Sequence, residues 1–171
     1  MYTVVSDADG ESRRRPTGPA EYNSLVAHSL DSNTGYADKE ELTAYLNELL
    51  EAERAGARVT LESARAAETS DLKGLLRTIQ RDEARWCAML AGHIKLLGEK
   101  PTTETGAFYG KAMAIADLHE RIVFLNRGQG WVVRKLREML PRLRDEGLHA
   151  DLAEMLRSHE TNIALANEAV K

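Results

Sequence analysis

The chain has 171 residues, with 23 Lys and Arg against 27 Asp and Glu and a formal net charge of −4. That length carries one domain, or one domain with a tail, and lets a folded chain bury roughly 70% of its unfolded surface. Mild acidity argues against a binder driven by phosphate contacts, and the single cysteine, Cys87, excludes a disulfide framework and any Cys-rich metal site. No apolar run is long enough to span a bilayer, and the N-terminus lacks the apolar stretch of a signal peptide. A cytoplasmic protein is expected, with neither nucleic acid nor membrane as a partner.

Residues 1–37 read as an irregular N-terminal arm. They hold Pro16, Pro19, Gly10, Gly18 and Gly35, the basic triplet Arg13, Arg14 and Arg15, and many Ser, Asn and Asp residues. Within the arm, Tyr22, Leu25, Val26 and Leu30 are spaced for one short amphipathic turn or for lying across the body of the protein. From Asp38 the composition turns helical, and residues 38–171 are read as an all-α, four-helix bundle. Asp38 followed by Glu41 is a capping-box-like start for helix 1, about 39–67. Thr69 or Ser70 caps helix 2, about 71–97, which Gly98 and Pro101 terminate. The linker 98–106 is long enough to cross a bundle face. Helix 3 is expected over about 107–140, with Pro141 ending or kinking it. Helix 4 is expected after Gly147, to about 168.

Each helix carries an apolar stripe at spacings of three and four residues, and a polar residue interrupts each stripe near its middle. Helix 1 places Glu53 there, helix 2 Glu83, helix 3 Asn126 and Gln129, and helix 4 His159 and Asn162. Glu53 lies 15 or 16 residues before the turn at 68–69, and Glu83 lies 14 or 15 after it, so an antiparallel hairpin makes them level. The second hairpin turns near 142–145, which sets His159 level with 126–129 by the same rise of about 1.5 Å per residue. Four helices thus bring polar groups to one height. Burying such groups unpaired costs about 1–3 kcal/mol each, and more for a charge. Two facing carboxylates need a proton or a cation between them.

The stretches Leu46 to Arg58 (LNELLEAERAGAR), Arg81 to Trp86 (RDEARW) and Met155 to Ile163 (MLRSHETNI) resemble the ferritin-like superfamily, in particular an uncharacterised bacterial branch of it. The resemblance covers about residues 38–168. It implies a crossover between helices 2 and 3, and a two-metal centre built from a Glu on helices 1 and 3 and a Glu-x-x-His pair on helices 2 and 4. Glu53 and Glu83 match the first two carboxylate positions. Trp86 stands at the helix 2 His position, Asn126 at the helix 3 Glu, His159 at the helix 4 Glu and Asn162 at the helix 4 His. A degenerate di-metal site follows, and di-iron oxidoreductase chemistry is not expected. A reduced, mononuclear metal site from Glu53, Glu83, Asn126 and His159 stays chemically open, holding one transition metal such as Fe, Mn or Zn, or none.

Two function classes follow for the bundle. One is a metal-binding protein with a reduced or vestigial core site. The alternative is a non-catalytic interaction or scaffold module whose polar layer is purely structural. A small apolar ligand seated near Trp86 is a third reading, and homodimerisation through an outer helix face is a candidate partnership. No complete catalytic motif is present. His93 and His119 lie about 15 Å and 10 Å along their helices from the polar layer and read as core or interface histidines. His149 reads as exposed, as do Arg54, Arg58, Arg134, Lys135 and Arg137. Core filling is the expectation for Trp86 and Cys87. The glycines of Gly128-Gln129-Gly130 suggest close helix packing or a kink.

Overall fold

The structure, a computed structural model, describes residues 35–171. The arm readings at Arg13 to Arg15 and at Tyr22 to Leu30 lie outside the described residues. Helices α1 (Lys39–Ala66), α2 (Ser70–Leu96), α3 (Phe108–Met113), α4 (Leu118–Met139) and α5 (Glu146–Ala169) follow in order, with a 3₁₀ turn at Leu140–Arg142. Residues Ala37–Lys171 form one compact unit. Among the described residues no strand occurs, and no helix is long and apolar enough to cross a membrane.

The helix starts are written in the chain. Asp38, Thr69, Asp117 and Asp145 each accept a hydrogen bond from the backbone N–H three residues on, at 2.8, 3.3, 2.8 and 2.7 Å. Gly98, at φ 77°, ends α2. Its N–H donates to Lys95 O, and that of Glu99 donates to Ile94 O, so the last carbonyls are satisfied in a Schellman arrangement. The expected start of helix 4 after Gly147 moves back, because Asp145 rather than the glycine caps α5.

The helix expected over 107–140 is two helices. Asp117, extended at ψ 126°, caps α4 and interrupts the run. The carbonyls freed at the break are taken up by Arg121, whose guanidinium donates to Ile115 O at 2.7 and 2.9 Å. Arg121 is buried to do this. Helix α3 then packs on α4 by a stacked pair of rings, Phe108 and Phe124, with centroids 4.9 Å apart. A Cβ on Gly128 would come within 2.7 Å of the Phe108 ring, so glycine there permits the close approach.

The hairpins α1–α2 and α4–α5 pack with α1 against α4 and α2 against α5. The crossover between them is pinned to α1. Thr102 N–H donates to Asn47 Oδ1 at 2.7 Å, and Gly106 N–H donates to Glu51 O at 3.2 Å. Arg54 donates to the carbonyls of Thr102 and Glu104, at 2.6 and 3.0 Å. Arg54, read from sequence as a solvated side chain, is therefore the clamp of the crossover. Beside a small cluster of Val59, Ala112 and Leu125 at α3, the apolar core splits into two ends. Leu46, Leu49, Leu50, Trp86, Leu90, Leu136 and Leu152 fill one, and Leu76, Ile79, Ile122 and Ala166 belong to the other. The polar residues sit between.

Candidate functional site: the mid-core polar layer

Glu53, Glu83, Gln129 and His159 are each buried to 97% or more, and all four line one cavity of about 280 Å³. Each reaches it from a different long helix, as the matched heights require. Ala52, Phe108, Leu125, Trp131 and Val132 form apolar wall, and Gly106 and Ala107 bring the end of the crossover to it.

His159 is held at both ring nitrogens. Nδ1 lies 3.0 Å from Met155 O, and Nε2 lies 3.1 Å from Glu53 Oε1. A carbonyl only accepts, so Nδ1 carries a proton; against an ionised Glu53, Nε2 carries one too, and the pair is imidazolium and carboxylate. Burial pulls the His159 pKa down, but the charge and hydrogen bond of Glu53, with the Met155 carbonyl and the charge of Asp82, together leave it raised.

Glu83 is in the opposite state. Burial first, and then the neighbouring charge of Glu53, push its pKa well above the usual carboxyl range, with a partial pull back from Thr60. Its Oε2 lies 3.1 Å from Thr60 Oγ1, which is itself 2.9 Å from Gly56 O. One hydroxyl proton serves one acceptor at a time. A neutral Glu83 that donates to Thr60 while Thr60 donates to Gly56 satisfies the set. Gly56 makes room for this: a Cβ there would stand 2.5 Å from Glu83 Oε1. One proton on Glu83 and a second on His159 would balance the layer's charge without a metal.

Two of the residues that line the cavity carry groups without a partner. Glu53 Oε2 and both amide atoms of Gln129 are buried without a hydrogen-bond partner in the protein. Such atoms are rare in native folds and ask for a reason.

The structure brings Glu53, Glu83 and His159 to this cavity and leaves Asn126 away from it. Asn126 Nδ2 donates to Asn167 Oδ1 at 2.8 Å, and Gln129, one turn on, holds the place the sequence reading gives Asn126. Asn162 donates to Asp82 Oδ2 at 3.1 Å, on the α2–α5 contact. Trp86 is packed in the core rather than against the cavity, so a ligand site near Trp86 moves to Trp131 on α4. His119 is exposed rather than a core residue. His93 pairs with Asp151 at 2.7 Å, and His149 is exposed. Cys87 is half-buried and its thiol is pushed up to about 12, by burial and then by Glu53. Phe108 and the crossover had no signature in the sequence that tied them to the site.

A two-metal centre does not fit these residues. The positions that should add a carboxylate or imidazole from α2 and α4 hold Trp86 and Asn126, and both nitrogens of His159 already meet oxygens of the chain. Among the described residues, no group of three or more His, Cys, Asp or Glu side chains is arranged to hold a metal ion.

Comparison with known proteins agrees on the fold. The family model described as "Domain of unknown function (DUF6306)" matches residues 40–168. No curated protein matches the chain. A crystal structure of ferritin-like, diiron-carboxylate proteins from Bacillus anthracis str. Ames superposes with a TM-score of 0.71 at 20% identity, covering 78% of this chain and 98% of that one. The fold is ferritin-like.

Proposed function

The chain belongs to the DUF6306 family, and we propose that in this member the ferritin-like bundle binds a small molecule, with its polar layer serving as a metal-free pocket floor in place of a two-metal centre. The observation that carries this reading is the pairing of the closed His159–Glu53 contact with the open groups beside it. His159 has no free nitrogen for a metal, yet Glu53 and Gln129 line a cavity while Glu53 Oε2 and the Gln129 amide lack a partner in the protein. A polar layer kept only to hold helix register satisfies its own groups, because each unsatisfied one costs about 1–3 kcal/mol. An apolar cavity with a few convergent polar groups and shifted titrations is the usual form of a ligand site.

A single divalent ion held by Glu53, Glu83, His159 and Gln129 is the second reading. What favours it is the Met155 carbonyl on His159 Nδ1, the kind of contact that orients a metal-bound imidazole. It requires both site protons to leave. Elemental analysis of protein purified without chelator or affinity metal, followed by titration with Fe(II), Mn(II) and Zn(II), separates the two. The pocket reading expects substoichiometric metal and no saturable uptake. Uptake near one ion per chain, lost in Glu53→Gln and His159→Gln, would overturn it.

A further inference from the structure

The cavity is chemically lopsided. Glu48, Glu51, Glu53 and Glu83 line it, and no lysine or arginine does. Two of the four are committed elsewhere: Glu48 to Lys135 at 2.9 Å and Glu51 to the Thr102 hydroxyl at 2.9 Å. The floor is different. Glu53 is 2% exposed and Gln129 3% exposed, both line the same cavity, and each has a buried oxygen with no hydrogen-bond partner in the protein. A carboxylate oxygen only accepts, so its missing partner is a donor. An anion would meet the carboxylates of Glu48, Glu51 and Glu53, and the one cation in the lining, His159, is already paired with Glu53. A neutral apolar molecule would leave Glu53 Oε2 as it stands. A bare ion would leave the aromatic and aliphatic walls against water.

We propose that this cavity binds a small organic monoamine in its ammonium form. The head donates to Glu53 Oε2 and Gln129 Oε1, and the apolar body packs against Phe108, Trp131 and Val132. This rests on the pocket reading above and names the ligand class for it. The size follows from the volume: about 280 Å³ lies at the lower edge of small-molecule pockets.

Isothermal titration of the full chain with 2-phenylethylamine and hexylamine, and with 2-phenylethanol and phenylacetate as neutral and anionic counterparts, tests it. The amines are expected to bind saturably at one site, about tenfold or more tighter than the alcohol, with phenylacetate not binding. Glu53→Gln is expected to remove most of the amine's advantage over the alcohol. Gln129→Leu, which takes no charge from the core, is expected to weaken the amine about tenfold. Ala52→Phe fills the wall and is expected to abolish binding of amine and alcohol together, with helicity unchanged. Alcohol or phenylacetate binding as tightly as the amines, and lost in Ala52→Phe, would overturn the ligand class and leave the pocket standing. No binding by either amine would overturn the inference. Saturable metal uptake that excludes all four probes would overturn the pocket reading beneath it.

Discussion

Replacing Glu53 and Glu83 by glutamine should have opposite consequences, although both are buried glutamates on neighbouring helices. Glu53 is the counter-charge of His159 at 3.1 Å, with both side chains 2% exposed. Removing one partner of a buried pair costs about 3–5 kcal/mol when the other stays charged. His159 can escape by losing its proton, so the cost of Glu53→Gln should be largest near pH 5 and should shrink toward neutral pH. Glu83 holds its proton, so Glu83→Gln replaces a neutral acid by a neutral amide of the same shape and should change stability by less than about 1 kcal/mol near pH 5. The sign reverses with pH. Glu83 and His159 both have raised pKa values in the fold. Their contribution is complete below their unfolded values and is lost as pH rises through the folded ones, by at most about 1.4 kcal/mol per pH unit for each extra proton. The wild type should therefore weaken from about pH 4–5 upward, and Glu83→Gln should flatten that fall and overtake the wild type at alkaline pH. Urea unfolding of the three proteins from pH 5 to 9 measures this. Equal and pH-independent losses in the two variants would refute the assignment of protons in the layer.

Three further outcomes follow from the packing. Gly56→Ala should lose stability by about 1–3 kcal/mol in urea unfolding, despite a helix gain of about 1 kcal/mol, because its Cβ would stand 2.5 Å from Glu83 Oε1 and displace the carboxyl group that Thr60 holds. Arg54→Ala should cost about 1.5–3 kcal/mol by losing two charge-assisted bonds to the crossover; hydrogen exchange at residues 101–106 should rise more than elsewhere. Cys87, with its thiol pushed up to about 12, should react with iodoacetamide at pH 8 far more slowly than free cysteine; a rate matching free cysteine would contradict its burial.

The parts of the site that were legible in the sequence are those set by helix length alone. Capping residues fix where α1 and α2 start, and the rise per residue then sets Glu53, Glu83 and His159 level. Which neighbour on a stripe faces inward was not legible. Asn126 and Gln129 are one turn apart on α4 and both are buried. The choice falls to Asn167, which takes the Asn126 amide, and to the rotation of α4 beneath α3. The break at residues 114–117 hid in a helix-prone run because its cost is met from a distance along the helix, by Arg121. Arg54 looked solvated because its partners are carbonyls 48 and 50 residues away, in a linker with no periodic pattern. His119 fell on the stripe by spacing, but the break removed it from the core.

In the proposed reading, protons and not a metal balance the charge of the polar layer. The ring nitrogen shifts of His159 in ¹⁵N-labelled protein at about pH 7, where an ordinary histidine is mostly neutral, test it most directly. Both nitrogens are expected to be protonated, and the shifts are expected not to move when Zn(II) is added. A bare Nε2, or shifts that move with one equivalent of zinc, would contradict it.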